Sequence, residues 1–176
     1  MHRREQQRRR IQRLEAILEI AGQWNQTLEM EALLHQMAET STKLLGTERA
    51  SIFLWDRPNK MLVGRPALGV EGGELRIPDS SGVVGQVIES GEPRRIDVEH
   101  GQEEIDRRVD KQLGYKTETL LCVPLRAKSG ELFGAFEMIN KTGEDLNFTQ
   151  EDEEALVELA GHAAIALENT QQWERL

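Results

Sequence analysis

Residues 131–153 read ELFGAFEMINKTGEDLNFTQEDE, and this stretch links a β-strand to a long helix. In its first third, even-numbered and odd-numbered residues form two sets, as in a strand whose successive residues face opposite sides of a sheet. The two sets are Leu132, Gly134, Phe136 and Met138, and Phe133, Ala135, Glu137 and Ile139. Thr149 lies three residues before Asp152 and just ahead of a helical apolar series, which is the sequence signature of a capping box. The stretch therefore predicts a strand, a loop and the start of a helix.

Charged residues at the two ends of the loop suggest how it is held. Asp152 is a candidate helix cap, and Glu153 beside it lies in the first turn, where a carboxylate interacts favourably with the helix dipole. We expect Asp152 also to form an ion pair with Lys141, which makes these residues a clamp on the fold. Phe148 is predicted to anchor the loop in the core; a wall of an aromatic box is the alternative.

The spacing of five residues carries a family resemblance. The order Asn140-Lys141, six residues, Phe148, three residues, Asp152-Glu153 resembles a motif of GAF domains of the cyclic-nucleotide-binding type. Such domains occur in regulatory regions of phosphodiesterases and some adenylyl cyclases. The resemblance covers roughly residues 28–169 and rests also on RASIFL at 49–54, LRIP at 75–78, GVVG at 82–85 and LCVPL at 121–125.

Composition limits the classes of function. The 176 residues suffice for one domain with a full core, and we treat the chain as a single domain. A net charge of −9 argues against a nucleic-acid or anionic-membrane surface. The single cysteine excludes an internal disulfide and favours a reducing cytoplasm. No apolar run approaches a membrane span, and no signal peptide is visible, so we expect a cytoplasmic protein without membrane contact.

Charge is distributed unevenly along the chain. Residues 1–13 hold six arginines against one acid, whereas residues 144–158 hold seven acids and no base. A basic arm is one kind of nucleic-acid contact. We interpret it instead as the solvated start of a helix whose charge complements the acidic region.

The first helix is predicted over about residues 4–28 with two apolar stripes. Ile17 and Trp24 form the shorter stripe, and two stripes indicate two neighbours, the helix's own domain and a partner chain. Asn25 is either a polar residue that sets the register of a coiled-coil interface (a seam) or the end of the helix. The longer stripe has 3-4-3-4-3 spacing and consists of Ile11, Leu14, Leu18, Ala21, Asn25 and Leu28.

The rest of the chain predicts an α+β domain with an antiparallel sheet. A second helix begins after Thr27 as its cap and stops at Gly46. Strands are predicted at 49–56, which should be central, and at 61–68, 74–78, 94–98, 117–126 and from 131, with short helices at 80–91 and 104–113. The resemblance implies six strands, long terminal helices on one face, and small helices with a ligand pocket on the other.

The last helix is expected to run to the final residue with a second seam. Its spacing suggests dimerisation through Leu159, Ala163, Ala166 and Trp173. We expect a homodimer whose helical extensions, at about 1–26 and 165–176, connect to other domains, with a covalently linked output domain in a longer signalling protein.

The resemblance also implies a ligand site. Val83 and Val84 open a short helix whose free amide groups favour a phosphate. Glu137 is an acid on an apolar strand face and needs a partner, either a ligand or an internal arginine. The hydroxyls of Ser51 and Thr117 contact either the ligand or the backbone. The implied set is Ser51, Ala67, Leu68, Val83, Val84, Asp106, Asp110, Leu113, Thr117 and Glu137.

The base preference depends on one departure from the family pattern. Relatives that bind cyclic GMP tend to place Phe-Asp where this chain has Ala67-Leu68, which removes a stacking ring and an acceptor for the base. Cyclic AMP, another small molecule or an empty pocket therefore stay open.

Catalysis is not expected. GAF-fold reductases of methionine sulfoxide need a nucleophilic and a resolving thiol, whereas Cys122 stands alone in an apolar strand. No Cys-His pair for a bilin occurs, and His100 and His162 are isolated, which leaves no metal site. The resemblance implies a sensory module for a small ligand, with a cyclic nucleotide (cyclic AMP or cyclic GMP) as its regulatory ligand. The alternative is a dimerisation module with a different ligand or an empty pocket.

Overall fold

The computed structural model describes residues 2–65, 73–170 and 173. In these described ranges, five α-helices and six strands follow one another, together with a 3-10 turn at Gln102–Glu104. The helices are α1 His2–Asn25, α2 Met30–Leu45, α3 Gly82–Ser90, α4 Arg107–Leu113 and α5 Gln150–Glu168. The strands are β1 Thr47–Asp56, β2 Met61–Arg65, β3 Leu75–Pro78, β4 Arg94–Ile96, β5 Leu120–Arg126 and β6 Leu132–Lys141.

The strands form one antiparallel sheet in the order β3-β2-β1-β6-β5-β4. The long strands β1 and β6 are its centre, and for β1 this position was predicted from its two apolar faces. Their register places Ser51 opposite Glu137, and β5 places Cys122 on the other side of Glu137. The α+β class and the six-stranded antiparallel sheet are confirmed.

Each face of the sheet carries its own apolar core. On one face, α1, α2 and α5 pack on alternate residues of the central strands, such as Ile52, Phe136 and Met138. On the other, α3 packs on Phe53 and Ala135. The long helices therefore share one face, and the small helices lie on the opposite one.

The start of α2 differs from the predicted one, whereas its end agrees with the prediction. Helix α2 begins at Met30 with Glu29 as its cap, whose carboxylate accepts from the amides of Glu31 and Ala32 at 3.0 and 2.8 Å. Thr27 is not the cap, because its hydroxyl lies 2.7 Å from Gln36 Oε1. The stop at Gly46 is confirmed by its left-handed conformation, with φ of 68°.

The seam predicted on the last helix is wrong. Leu159, Ala163 and Ala166 are at most 1% exposed and lie in the domain's own core, so no partner chain can use them. Helix α5 ends at Glu168, before the final residue. Trp173 packs edge-on against Phe133, with ring centroids 4.7 Å apart.

Helix α1 buries one of its predicted apolar stripes and leaves most of the other exposed. Ile17 and Trp24 are buried against the domain, whereas Ile11, Leu14 and Leu18 are 55%, 43% and 63% exposed. The helix ends at Asn25, which agrees with the helix-end interpretation of that residue. Ala21 was predicted in the outer stripe but is buried with the inner one.

Candidate ligand-binding site

A cavity of about 300 Å³ lies between the sheet and the small helices α3 and α4. Its lining contains eight of the residues predicted for the ligand site. Ala67 and Leu68, the other two, lie outside the described residues. The eight are Ser51, Val83, Val84, Asp106, Asp110, Leu113, Thr117 and Glu137.

Glu137 lies in the row of the sheet between Ser51 and Cys122 and is 7% exposed. Within residues 2–65, 73–170 and 173, its carboxyl group has no hydrogen bond and no ion pair, so the internal arginine, one of the two alternatives for its partner, is absent there. Burial, together with the charge of Asp110, raises the pKa of Glu137 to about 8. At neutral pH the group is therefore mainly a neutral acid, with one donor and a free acceptor.

The N-terminus of α3 opens at the same cavity. Val83 and Val84 lie in its first turn, where helix geometry leaves the amide groups without an intrahelical acceptor. The cap residue Ser81 makes no side-chain bond to the helix and donates instead to Asp106 Oδ2 at 3.2 Å. The first turn of α3 can therefore accept an anion from the cavity side.

Helix α4 forms the adjacent wall through two acids with internal partners. Asp106 caps the helix by accepting from the amide of Arg108 at 3.0 Å. Burial raises the pKa of Asp106, but hydrogen bonds from Arg108 and Ser81 outweigh that effect and lower it. Asp106 is thus a cap that also lines the cavity.

Asp110 and Thr117 are hydrogen-bond partners of each other. The amide and hydroxyl of Thr117 donate to the two carboxylate oxygens of Asp110 at 2.9 and 2.7 Å, and Arg107 Nη1 lies 2.9 Å from the carboxylate. This side-chain partner was not foreseen from the sequence. It holds Thr117 outside the sheet, which explains why β5 begins at Leu120.

Arg49 and Tyr115 line the cavity but were not predicted. The guanidinium carbon of Arg49 lies 3.7 Å from the centre of the Tyr115 ring. The hydroxyl of Tyr115 lies 2.7 Å from Glu48 and 3.0 Å from Asn140 Nδ2. Arg49 is two residues before Ser51 on the same strand, so strand alternation was the signal that placed it on this face.

The five motif residues lie beside the cavity, because its described lining contains none of them. Asn140, at a φ of 59°, accepts from the amides of Glu118 and Thr119 at 2.6 and 3.1 Å. Phe148 is 6% exposed in the core under the long helices, which rules out an aromatic box at the cavity. Asn140 thereby fixes the segment that carries Tyr115 and Thr117.

The clamp expected between strand and helix is present. Lys141 Nζ lies 2.6 Å from Asp152 Oδ2, and Thr149 and Asp152 form the complete capping box. Arg13 of α1 reaches the same acid at 3.5 Å, while Glu153 pairs with Arg95 at 3.4 Å.

The remaining reactive side chains are enclosed or dispersed. Cys122 is 0% exposed, and its burial raises the pKa of the thiol, which makes a thiolate unfavourable. In the described part of the chain, no group of three or more His, Cys, Asp or Glu residues could hold a metal ion. No helix there is long and apolar enough to cross a membrane.

Comparison with known protein families identifies the family of the domain. A sequence profile described as GAF domain matches residues 29–167. The chain belongs to the GAF domain family. Domains of this family are generally regulatory rather than catalytic.

Related sequences are cyclic nucleotide phosphodiesterases. The chain is 30% identical to the dual 3',5'-cyclic-AMP and -GMP phosphodiesterase 11 of Drosophila melanogaster, over 92% of this chain and 12% of that protein. It is 29% identical to the dual phosphodiesterase 11A of Takifugu rubripes, over 89% of this chain and 19% of that one. This GAF domain thus spans less than a fifth of the length of each of these two relatives.

Solved structures share the fold at lower identity. The GAF domain of a phosphoenolpyruvate-protein phosphotransferase from Coxiella burnetii matches with a TM-score of 0.78 and 23% identity, covering 93% of this chain and 97% of that one. A free methionine-R-sulfoxide reductase from Neisseria meningitidis matches with a TM-score of 0.72 and 21% identity, covering 91% and 90%. The fold therefore occurs in an enzyme as well, and function has to be argued from the site.

Proposed function

We propose that this GAF domain is a cytoplasmic sensory module that binds a cyclic nucleotide in the cavity and acts without catalysis of its own. The observation that carries the proposal is Glu137, a buried acid at the cavity without an internal partner among the described residues. A buried polar group without a partner costs stability unless a ligand satisfies it. The relatedness to cyclic nucleotide phosphodiesterases supports the same class of ligand.

The protonation of Glu137 favours adenine over guanine. A neutral carboxyl group donates one hydrogen bond and accepts another, which suits the adjacent acceptor and donor on the pairing edge of adenine. Guanine presents two adjacent donors there and calls for an ionised carboxylate. Because burial raises the pKa of Glu137 to about 8, cyclic AMP is the better match at neutral pH.

The phosphate of the ligand is assigned to the start of α3. The amides of Val83 and Val84 carry the positive end of the helix dipole, which attracts an anion. Thr117 and Asp110 hold each other and shape the wall between the two ends of the ligand. Ser51, Asp106 and Leu113 complete the proposed contacts, and Ala67 and Leu68 are assigned by resemblance alone.

Transmission is proposed to run through the terminal helices of a homodimer to a linked output domain. Asn140 holds the cavity segment, and the next residue, Lys141, pairs with Asp152, which Arg13 of α1 also contacts. This chain of contacts joins the cavity to α1. A ligand shifts such a system only when its affinity differs between two arrangements of the helices.

A dimerisation module with another ligand, or with an empty cavity, is the second candidate. The exposed stripe Ile11, Leu14 and Leu18 favours it, because three apolar residues at 3-4 spacing lie open on one side of α1. Both candidates predict a dimer, so only ligand binding separates them.

Calorimetry against cyclic AMP and cyclic GMP tests the proposal. We expect micromolar or tighter binding of cyclic AMP, equivalent to about 8 kcal/mol, and weaker binding of cyclic GMP at pH 7. Glu137→Leu should abolish binding without changing the oligomeric state, while Glu118→Gln, on an exposed acid nearby, should leave binding unchanged. A folded wild-type dimer that binds neither nucleotide would favour the second candidate.

A further inference from the structure

Arg49 carries a positive charge at the cavity that the described structure does not compensate. Its Nη1 atom is buried and has no hydrogen-bond partner. The guanidinium stacks on Tyr115 at 3.7 Å, and within the described ranges it forms no ion pair with a carboxylate. The nearby acid Glu48 is engaged by the hydroxyl of Tyr115 instead.

A second stacked arginine provides the comparison. Arg57 lies 4.3 Å from the centre of the Trp55 ring, so it has the same kind of aromatic contact. Its guanidinium also pairs with Glu131 at 3.1 Å and donates to the carbonyl of Leu132 at 2.7 Å. Stacking on a ring therefore does not by itself leave an arginine without acceptors in this protein.

The other arginines beyond the first turns of α1 resemble Arg57 in having an acceptor for the guanidinium group. Each has a carboxylate or a backbone carbonyl as a partner, so Arg49 is the exception among the described arginines from Arg10 onward. Those with partners are Arg10, Arg13, Arg57, Arg65, Arg76, Arg94, Arg95, Arg107, Arg108 and Arg126. Unlike these ten arginines, Arg49 has neither a carboxylate nor a backbone carbonyl as a partner within the described ranges.

The aromatic ring on which Arg49 stacks is held in place by its own hydrogen bonds. Tyr115 is held by hydrogen bonds to Glu48 and Asn140, so the ring on which the guanidinium stacks is fixed. A buried guanidinium N–H without an acceptor costs free energy, and an anion in the cavity would remove that cost. Arginine matches phosphate well, because its planar fork can donate two parallel hydrogen bonds.

We propose that Arg49 is an anion-recognising residue of the cavity and selects ligands that carry a phosphate. The assignment rests on the proposed function for the identity of the ligand as a cyclic nucleotide. Arg49 contributes a full positive charge to the cavity, whose lining also contains the first turn of α3 with its partial positive charge, so a neutral nucleoside should bind poorly.

The test compares Arg49→Gln with the matched control Arg57→Gln. Calorimetry measures cyclic AMP and the neutral nucleoside adenosine, and thermal unfolding is followed with inorganic phosphate at constant ionic strength. For Arg49→Gln we expect the affinity for cyclic AMP to fall about 10- to 100-fold, the loss of one charge-assisted contact, while the affinity for adenosine stays the same. The stabilisation by phosphate should disappear in Arg49→Gln and persist in Arg57→Gln.

Unliganded stability distinguishes recognition from a structural role. Removing a charged group whose buried Nη1 atom lacks an acceptor should leave the melting temperature of Arg49→Gln equal to or above that of the wild type. A lower melting temperature with unchanged cyclic AMP affinity would assign Arg49 to packing on Tyr115 and overturn the proposal. Wild type that binds phosphate through Arg49 but no cyclic nucleotide would refute the proposed function while supporting the anion site.

Discussion

Lys141 and Asp152 form an ion pair, with Nζ 2.6 Å from Oδ2, that joins the end of β6 to the first turn of α5. The two side chains are only 14% and 4% exposed. Asp152 also accepts from the amide of Thr149 at 2.9 Å, so one carboxylate serves both the ion pair and the helix cap. Loss of either partner leaves a charge in a poorly solvated place.

Lys141→Met should therefore destabilise the domain by about 2–4 kcal/mol, less than the roughly 3–5 kcal/mol expected for a buried charge left alone, because Arg13 remains 3.5 Å from Asp152. The matched control is Lys43→Met. Lys43 pairs with Glu39 at 3.2 Å on the surface, with both side chains at least 70% exposed, and should contribute less than about 0.5 kcal/mol. Urea unfolding measures both variants, and equal losses would contradict the clamp.

Acid should weaken the same junction. Burial raises the pKa of Asp152, but hydrogen bonds from Lys141 and Thr149 outweigh it, so the pKa lies below its usual value. A carboxyl group with a lowered pKa in the folded state contributes stability above the unfolded-state pKa, and this contribution is lost as the pH falls through the folded value. Wild type should lose more stability than Asp152→Asn on acidification below about pH 4, the unfolded-state pKa. Parallel unfolding curves at pH 7 and pH 3 for both proteins make the comparison.

Glu137 predicts the opposite dependence on pH. Its pKa is raised to about 8, so between the ordinary value of 4.5 and pH 8 the unfolded chain releases a proton that the folded domain retains. Stability must therefore fall as the pH rises through this range. Glu137→Gln should remove the dependence and be more stable than wild type at pH 8 by roughly 1–3 kcal/mol. The exposed Glu118→Gln is the control, and an unchanged pH profile in Glu137→Gln would disprove the assignment.

The outer stripe of α1 is the surface that we expect to hold the dimer. A double change of Leu14 and Leu18 to Ser should convert the dimer to a monomer, because these side chains are 43% and 63% exposed and contribute little to the domain's own core. Val157→Ser, on an exposed position of α5, should leave the dimer intact. Light scattering coupled to size exclusion gives the mass. A dimer that survives the double change would move the interface elsewhere.

Two glycines should respond in opposite directions to alanine. At Gly134 an added Cβ would collide with the backbone carbonyl of Phe53 on the neighbouring strand. Gly134→Ala should therefore cost about 1–3 kcal/mol of stability, as overpacking does. At Gly161, inside α5, a Cβ meets nothing within 4 Å. Gly161→Ala should stabilise the domain by about 0.5–1 kcal/mol through helix propensity, measured by thermal unfolding.

Local patterns predicted most of the architecture. Alternation along β1 and β6, and Gly46 and Gly91 as helix stops, depend on the backbone preferences of a few neighbouring residues. The capping box at Thr149 and Asp152 is similarly short in range. Such features appear in the sequence because the residues that cause them are adjacent.

The seam on α5 shows where pattern reasoning fails. A 3-4 spacing of apolar residues marks a buried helix face but does not say which surface buries it. Leu159 and Ala163 pack on the domain's own sheet, whereas Leu14 and Leu18 on α1, with the same spacing, remain exposed. The difference depends on which helix lies closer to the sheet.

The sequence by itself determined the order of the elements, through periods of two and 3.6 residues, and the family, through its motifs. The eight residues of the cavity lining followed from the resemblance to that family. Only the tertiary structure decided the charges around that cavity. It brought Asp110 to Thr117 and stacked Arg49 on Tyr115, and it left Glu137 without an internal partner among the described residues. Hydrogen bonds and ion pairs act over a few ångströms between residues far apart in the chain, so their pairing exists only after the sheet and helices have assembled.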